Sequence, residues 1–115
     1  YDSYRVITEE RAIEGADGPF TYVWEQEHYD PVSGRLVCHI HFAFPDGSTL
    51  SKAFSYDWRL WTLPEVRDLL NECGFRNVTV YWQGWDEDGE PDGDFKPATD
   101  AEPDAGWICY LTAEK

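Results

Sequence analysis

The 115-residue chain has no methionine, only three cysteines, and only nine basic residues against 23 acidic ones. Cys38, Cys73 and Cys109 are odd in number and far apart, with no Cys-x-x-Cys pair. Neither a disulfide framework nor a zinc ribbon is expected, and reduced, mostly buried thiols are. A formal charge of −14 repels phosphate backbones and anionic lipid, which argues against nucleic acid and membrane surfaces as partners. There is no run of about 18 apolar residues. Residues 1–14 also lack the basic start and apolar centre of a signal peptide, so the expected compartment is the cytoplasm. Without a start methionine, the chain is expected to be a piece of a longer translated product. No Gly-rich phosphate loop, dinucleotide fingerprint or ordered Ser/His/Asp set occurs.

Aromatic residues are abundant: six Trp, seven Tyr and six Phe. Such side chains favour sheets over small aliphatic helix packing. One domain over residues 1–115 is expected, of a size that buries roughly two-thirds of its unfolded surface. The expected class is α+β, with a mainly antiparallel sheet and one main helix.

Residues 4–14 mix strand and helix signals, with a strand expected near Arg11 to Glu14. Gly15-Ala16-Asp17-Gly18-Pro19 breaks the chain. In the next segment Phe20, Tyr22 and Trp24 alternate with Thr21, Val23 and Glu25, the period of a strand. After the turn Asp30 to Gly34, a strong strand over residues 35–44 has Leu36, Cys38, Ile40, Phe42 and Phe44 on one face and Arg35, His39 and His41 on the other. Pro45-Asp46-Gly47-Ser48 signals a hairpin with a type I′ turn or a bulge. The returning strand, residues 49–58, presents Leu50, Lys52, Phe54, Tyr56 and Trp58. These strands make an antiparallel meander of about three, and residues 1–58 form the β-rich region.

Thr62-Leu63-Pro64-Glu65 is a capping box with proline in the first helical turn. Leu63, Val66, Leu69, Leu70 and Cys73 recur at helical spacing, and Gly74 suits a left-handed cap. This gives a helix over about 63–73. Residues 59–115 then hold that helix and a terminal strand pair, 78–83 and 107–114. The connector, residues 84–106, carries nine acidic residues among glycines and prolines, and the expectation is a mobile loop.

Three groupings could carry chemistry. His39-x-His41 puts two imidazoles on one strand face, a spacing some metal sites use, although any polar sheet face gives the same pattern. The segment from Phe54 to Trp61 gathers aromatics, an acid and a guanidinium. It suits either a pocket wall, where Arg59 fixes a carboxylate or stacks on an indole, or strand-end packing. Asp86-Glu87-Asp88-Gly89-Glu90 lacks the ligand spacing of a calcium loop and reads as solvated. No metal is expected, and no catalytic residue is assigned.

The run from Trp61-Thr62-Leu63-Pro64-Glu65 through Leu69-Leu70 to Cys73-Gly74-Phe75-Arg76-Asn77-Val78 resembles the last helix and sixth strand of class I S-adenosylmethionine-dependent methyltransferases. Tyr110-Leu111-Thr112-Ala113-Glu114-Lys115 is similar to that family's final strand. Tyr22-Val23-Trp24-Glu25-Gln26 and Cys38-His39-Ile40-His41-Phe42 look like the β-rich insertion that some bacterial members carry on the methyl-acceptor side. The resemblance implies a C-terminal, acceptor-side region whose cofactor-binding half lies upstream, inactive alone. It binds no cofactor itself, although a complete member uses S-adenosylmethionine. Tyr22, Trp24, His39, His41, Tyr56, Trp58 and Arg59 are then the substrate-side candidates. The expected partner is the missing cofactor half or a second copy of the chain. The rival expectation is a stand-alone binding or oligomerisation module without enzyme activity.

Overall fold

The computed structural model describes residues 6–104 and 106–115. Residues 1–5, which include the start of the mixed-signal segment at Tyr4, lie outside the described residues. The chain divides into two compact units, Tyr1–Trp61 and Thr62–Lys115. Among the described residues it is α+β, with seven strands in two antiparallel sheets and one helix. The expected meander of about three strands undercounts them. Among the described residues no helix is long and apolar enough to cross a membrane.

The first unit is a meander of β1 (Ile7–Gly15), β2 (Gly18–Tyr29), β3 (Arg35–Ala43) and β4 (Thr49–Arg59), paired in that order. β1 is longer than the strand expected near Arg11. Its partner β2 supplies pairing from Ile7↔Gln26 to Gly15↔Gly18, so cross-strand pairing overrides the helical preference of Thr8 to Ala12. The turn shrinks to Ala16 and Asp17, with Gly18 at φ 115°. A Cβ at Gly15 would stand 2.9 Å from the Phe20 ring, which explains the glycine there.

The turn between β2 and β3 is held by Asp30, whose carboxylate accepts from the Val32 N–H (2.9 Å) and the Ser33 hydroxyl (2.6 Å). Between β3 and β4 the Gly47 N–H donates to Phe44 O at 3.0 Å, and Gly47 takes φ 86°. Asp46 has no positive φ, so of the two alternatives this hairpin takes the bulge.

Two irregularities shape the sheet. β2 carries an extra residue at Glu27, between the pairs Gln26↔Cys38 and His28↔Val37. β4 carries a larger bulge: Phe54 pairs with Ile40 and Leu50 with Phe42, leaving Ser51, Lys52 and Ala53 opposite His41 alone. Lys52 sits in this bulge at φ 49°, so it leaves the strand face expected to run Leu50, Lys52, Phe54. Among the described residues of the unit, Leu36 and Cys38 are the buried apolar ones, Cys38 completely.

The second unit opens with α1 (Leu63–Glu72). The expected capping box is formed. Thr62 Oγ1 accepts from the Glu65 N–H at 3.4 Å, and Glu65 Oε1 accepts from the Thr62 N–H at 3.1 Å. At the other end Gly74 takes φ 92° and the Phe75 N–H donates to Leu70 O at 3.0 Å, a glycine-terminated helix stop. No residue of α1 is buried.

Three strands follow, β5 (Arg76–Trp85), β6 (Pro91–Ala98) and β7 (Cys109–Glu114), in the sheet order β6-β5-β7. The pairing of β5 with the last strand is present, from Arg76↔Glu114 to Trp82↔Cys109. The mobile loop expected over residues 84–106 is not: β6 lies within it and pairs with β5 from Trp85↔Pro91 to Val80↔Ala98. Its turn is closed by Asp86, whose Oδ1 accepts from the N–H groups of Asp88 (2.9 Å) and Glu90 (3.0 Å), with Gly89 at φ 78°. The Phe95 ring then packs edge-on against Tyr110, with centroids 4.6 Å apart. One aromatic contact and one well-made Asx turn order a strand that its acidic composition conceals.

Candidate functional site

The meander has two chemically distinct faces, and the candidate residues divide between them. Cross-strand register aligns Tyr22 with Phe42, Trp24 with Ile40, Cys38 with Tyr56 and Leu36 with Trp58, so Tyr22, Trp24, Tyr56 and Trp58 share the aromatic face. Tyr56 and Trp58 stack with centroids 4.4 Å apart, and Trp24 lies 6.4 Å from Tyr56. The Trp24 indole N–H donates to Gln26 Oε1 at 3.2 Å. Trp58 is 48 % and Phe54 54 % exposed, an open aromatic surface more than a closed pocket. Arg59 leaves this cluster at the end of β4. Its guanidinium lies 3.9 Å from the Trp61 ring centroid, the cation–π alternative of the two roles open to it.

His39 and His41 occupy the opposite face, where the structure adds partners that the sequence pattern did not single out. His41 Nε2 meets Glu25 Oε2 at 2.5 Å, and its Nδ1 accepts the Lys52 N–H at 2.8 Å. His39 Nε2 is paired with Glu27 Oε2, and its Nδ1 lies 2.7 Å from Ser55 Oγ. His39 is buried while Ser55 is exposed. Glu27 is held below the ordinary carboxylate range, first by its hydrogen bond with His39. Further along, Arg35 and Asp57 form a bidentate pair, both contacts at 2.8 Å, which lowers Asp57.

The signal for this arrangement was present as Glu25-x-Glu27 beside His39-x-His41: at strand period, two acids and two imidazoles fall on one face. Each imidazole is matched with its own carboxylate. Among the described residues no group of three or more His, Cys, Asp or Glu is placed to hold a metal ion.

The second unit contains a cavity of about 400 Å³ lined by Leu63, Arg67, Trp82, Asp100, Glu102 and Trp107, among others. The Trp82 and Trp107 rings stack at 4.7 Å. Burial raises the Cys38 and Cys109 thiols above their ordinary value, which makes them poor nucleophiles. The chain matches no family model, no curated protein and no solved structure.

Proposed function

We propose that this chain is the acceptor-side, C-terminal part of an S-adenosylmethionine-dependent methyltransferase-like protein, inactive without a cofactor-binding half. The observation that carries the proposal is the contrast among its sheet edges. β1 is guarded by Glu9, Glu10, Arg11 and Glu14, β4 by its bulge and Lys52, and β6 by Pro91, Asp92, Asp94, Lys96 and Pro97. Charges, prolines and bulges are the usual means of keeping an edge from pairing. β7, Cys-Tyr-Leu-Thr-Ala-Glu, has none of these except its terminal Glu114. An unguarded edge fits a strand that continues a larger sheet, as the family resemblance requires.

S-adenosylmethionine itself does not fit the residues present. The helix N-terminus that could receive its carboxylate already holds the Glu65 side chain, a like charge at that position. No glycine-rich turn precedes the helix. In this reading the chain's own part is to position the methyl acceptor against the aromatic face and to exclude water. The cytoplasm remains the compartment proposed.

The second reading, a binding or self-associating module, draws on the same bare edge and on the half-exposed Leu50, Phe54 and Trp58. Light scattering separates the two: concentration-dependent dimers of the isolated chain favour association, and a strict monomer counts against it. The primary test is titration of S-adenosylmethionine into the 115-residue chain and into the full polypeptide its gene encodes. Binding is expected only to the latter. Binding by the isolated chain, or by neither, contradicts the proposal.

A further inference from the structure

Glu27, His39 and Ser55 stand in line across β2, β3 and β4. The Glu27 carboxylate is ionised at neutral pH and accepts hydrogen bonds only. His39 Nε2 therefore carries the hydrogen of that bond, and the tautomer with its hydrogen on Nε2 alone presents a lone pair at Nδ1. In that tautomer the 2.7 Å contact at Nδ1 is the Ser55 hydroxyl donating to imidazole. The His41 ring beside it offers no such seat, because its Nδ1 already accepts the Lys52 N–H.

We propose that Ser55 is an activated nucleophile, with His39 as its general base and Glu27 orienting the imidazole, and that it accepts acyl groups from small activated esters. The geometry is the one nucleophilic catalysis requires: a hydroxyl within hydrogen-bond reach of a base that a third group holds in one tautomer. Here the acid binds Nε2 and the serine binds Nδ1. Ser55 is exposed while His39 is 6 % exposed, so an ester reaches the oxygen and water is kept from the ring. β4 is an edge strand, and its outward backbone N–H groups are available to a developing oxyanion.

In the step, Ser55 Oγ attacks the ester carbonyl carbon as its proton passes to His39 Nδ1. The carbon–oxygen bond to the leaving group then breaks, and the alcohol or phenol departs with that electron pair. Glu27 stabilises the imidazolium until it returns the proton to the leaving group or to solvent. The acyl group stays on Ser55 as an ester. This chemistry does not rest on the methyltransferase reading.

The test is incubation of the chain with p-nitrophenyl acetate, followed by peptide mapping of the Ser55 segment. One acetyl group on Ser55 is expected, with Ser51 unmodified. Ser55→Ala abolishes that adduct and Ser51→Ala leaves it unchanged. His39→Gln slows its formation by about 100-fold or more, the usual contribution of a general base. Glu27 is at the exposed end of the line, so Glu27→Gln keeps the fold and slows acylation in the same direction even where His39→Gln unfolds. No acetyl on Ser55, or a rate indifferent to Glu27→Gln, overturns the proposal.

Discussion

The Lys52 backbone N–H donates to His41 Nδ1 at 2.8 Å, from a residue held at φ 49°. A side-chain imidazole thus serves as the acceptor that the bulged strand cannot find in its neighbour's backbone. Replacing His41 by phenylalanine keeps an aromatic ring and removes that acceptor. We expect a loss of about 1 kcal/mol, the usual net worth of one such bond, read as a lower urea midpoint. Lys52→Gly in the same background recovers part of it, because glycine takes positive φ without strain.

Stability is expected to depend on acid. Glu27 and Asp57 both have lowered carboxyl values in the fold, owing first to hydrogen bonds with His39 and Arg35. A depressed folded value contributes stability that is complete above the ordinary value and is lost as pH falls through the folded one. The urea midpoint should hold steady from pH 7 to about 5, then fall below the ordinary glutamate value of 4.5. Glu27→Gln should lower the midpoint at pH 7 and flatten the acid limb. An unchanged limb would remove Glu27 from the explanation.

The capping box gives a local prediction. Thr62→Ala leaves the Glu65 N–H without its acceptor and costs about 1 kcal/mol. The helical circular-dichroism signal should melt earlier, and Thr62→Ser should restore most of the loss.

The three thiols should separate by access. Cys73 is exposed, Cys109 half-buried and Cys38 completely buried. A thiol-reactive chromophore should label Cys73 within the mixing time and Cys109 slowly, with Cys38 labelled only on unfolding. Rapid labelling of all three would mean that the β3 core opens freely.

The features legible in the sequence are those fixed by neighbours in the chain. The capping box from Thr62 to Glu65, the Gly74 stop and the alternation over Leu36 to Phe42 need no distant partner, and each is formed. β6 was hidden because nine acids in residues 84–106 suggest a solvated loop. What orders it is the Asp86 turn and the docking of Phe95 on Tyr110, the second of which depends on β7. The line from Glu27 through His39 to Ser55 depends on register. A period of two puts Glu25, Glu27, His39 and His41 on one face, but the extra residue at Glu27 and the two-residue excess in β4 set which of them meet and bring Ser55 to His39. The division of the seven candidate residues between two faces follows from the same register.

Titration of S-adenosylmethionine into the isolated 115-residue chain tests the proposed role most directly. With the helix N-terminus occupied by Glu65 and no glycine-rich cradle, no binding is expected up to millimolar ligand. Micromolar affinity would contradict an acceptor-side part that lacks the cofactor half.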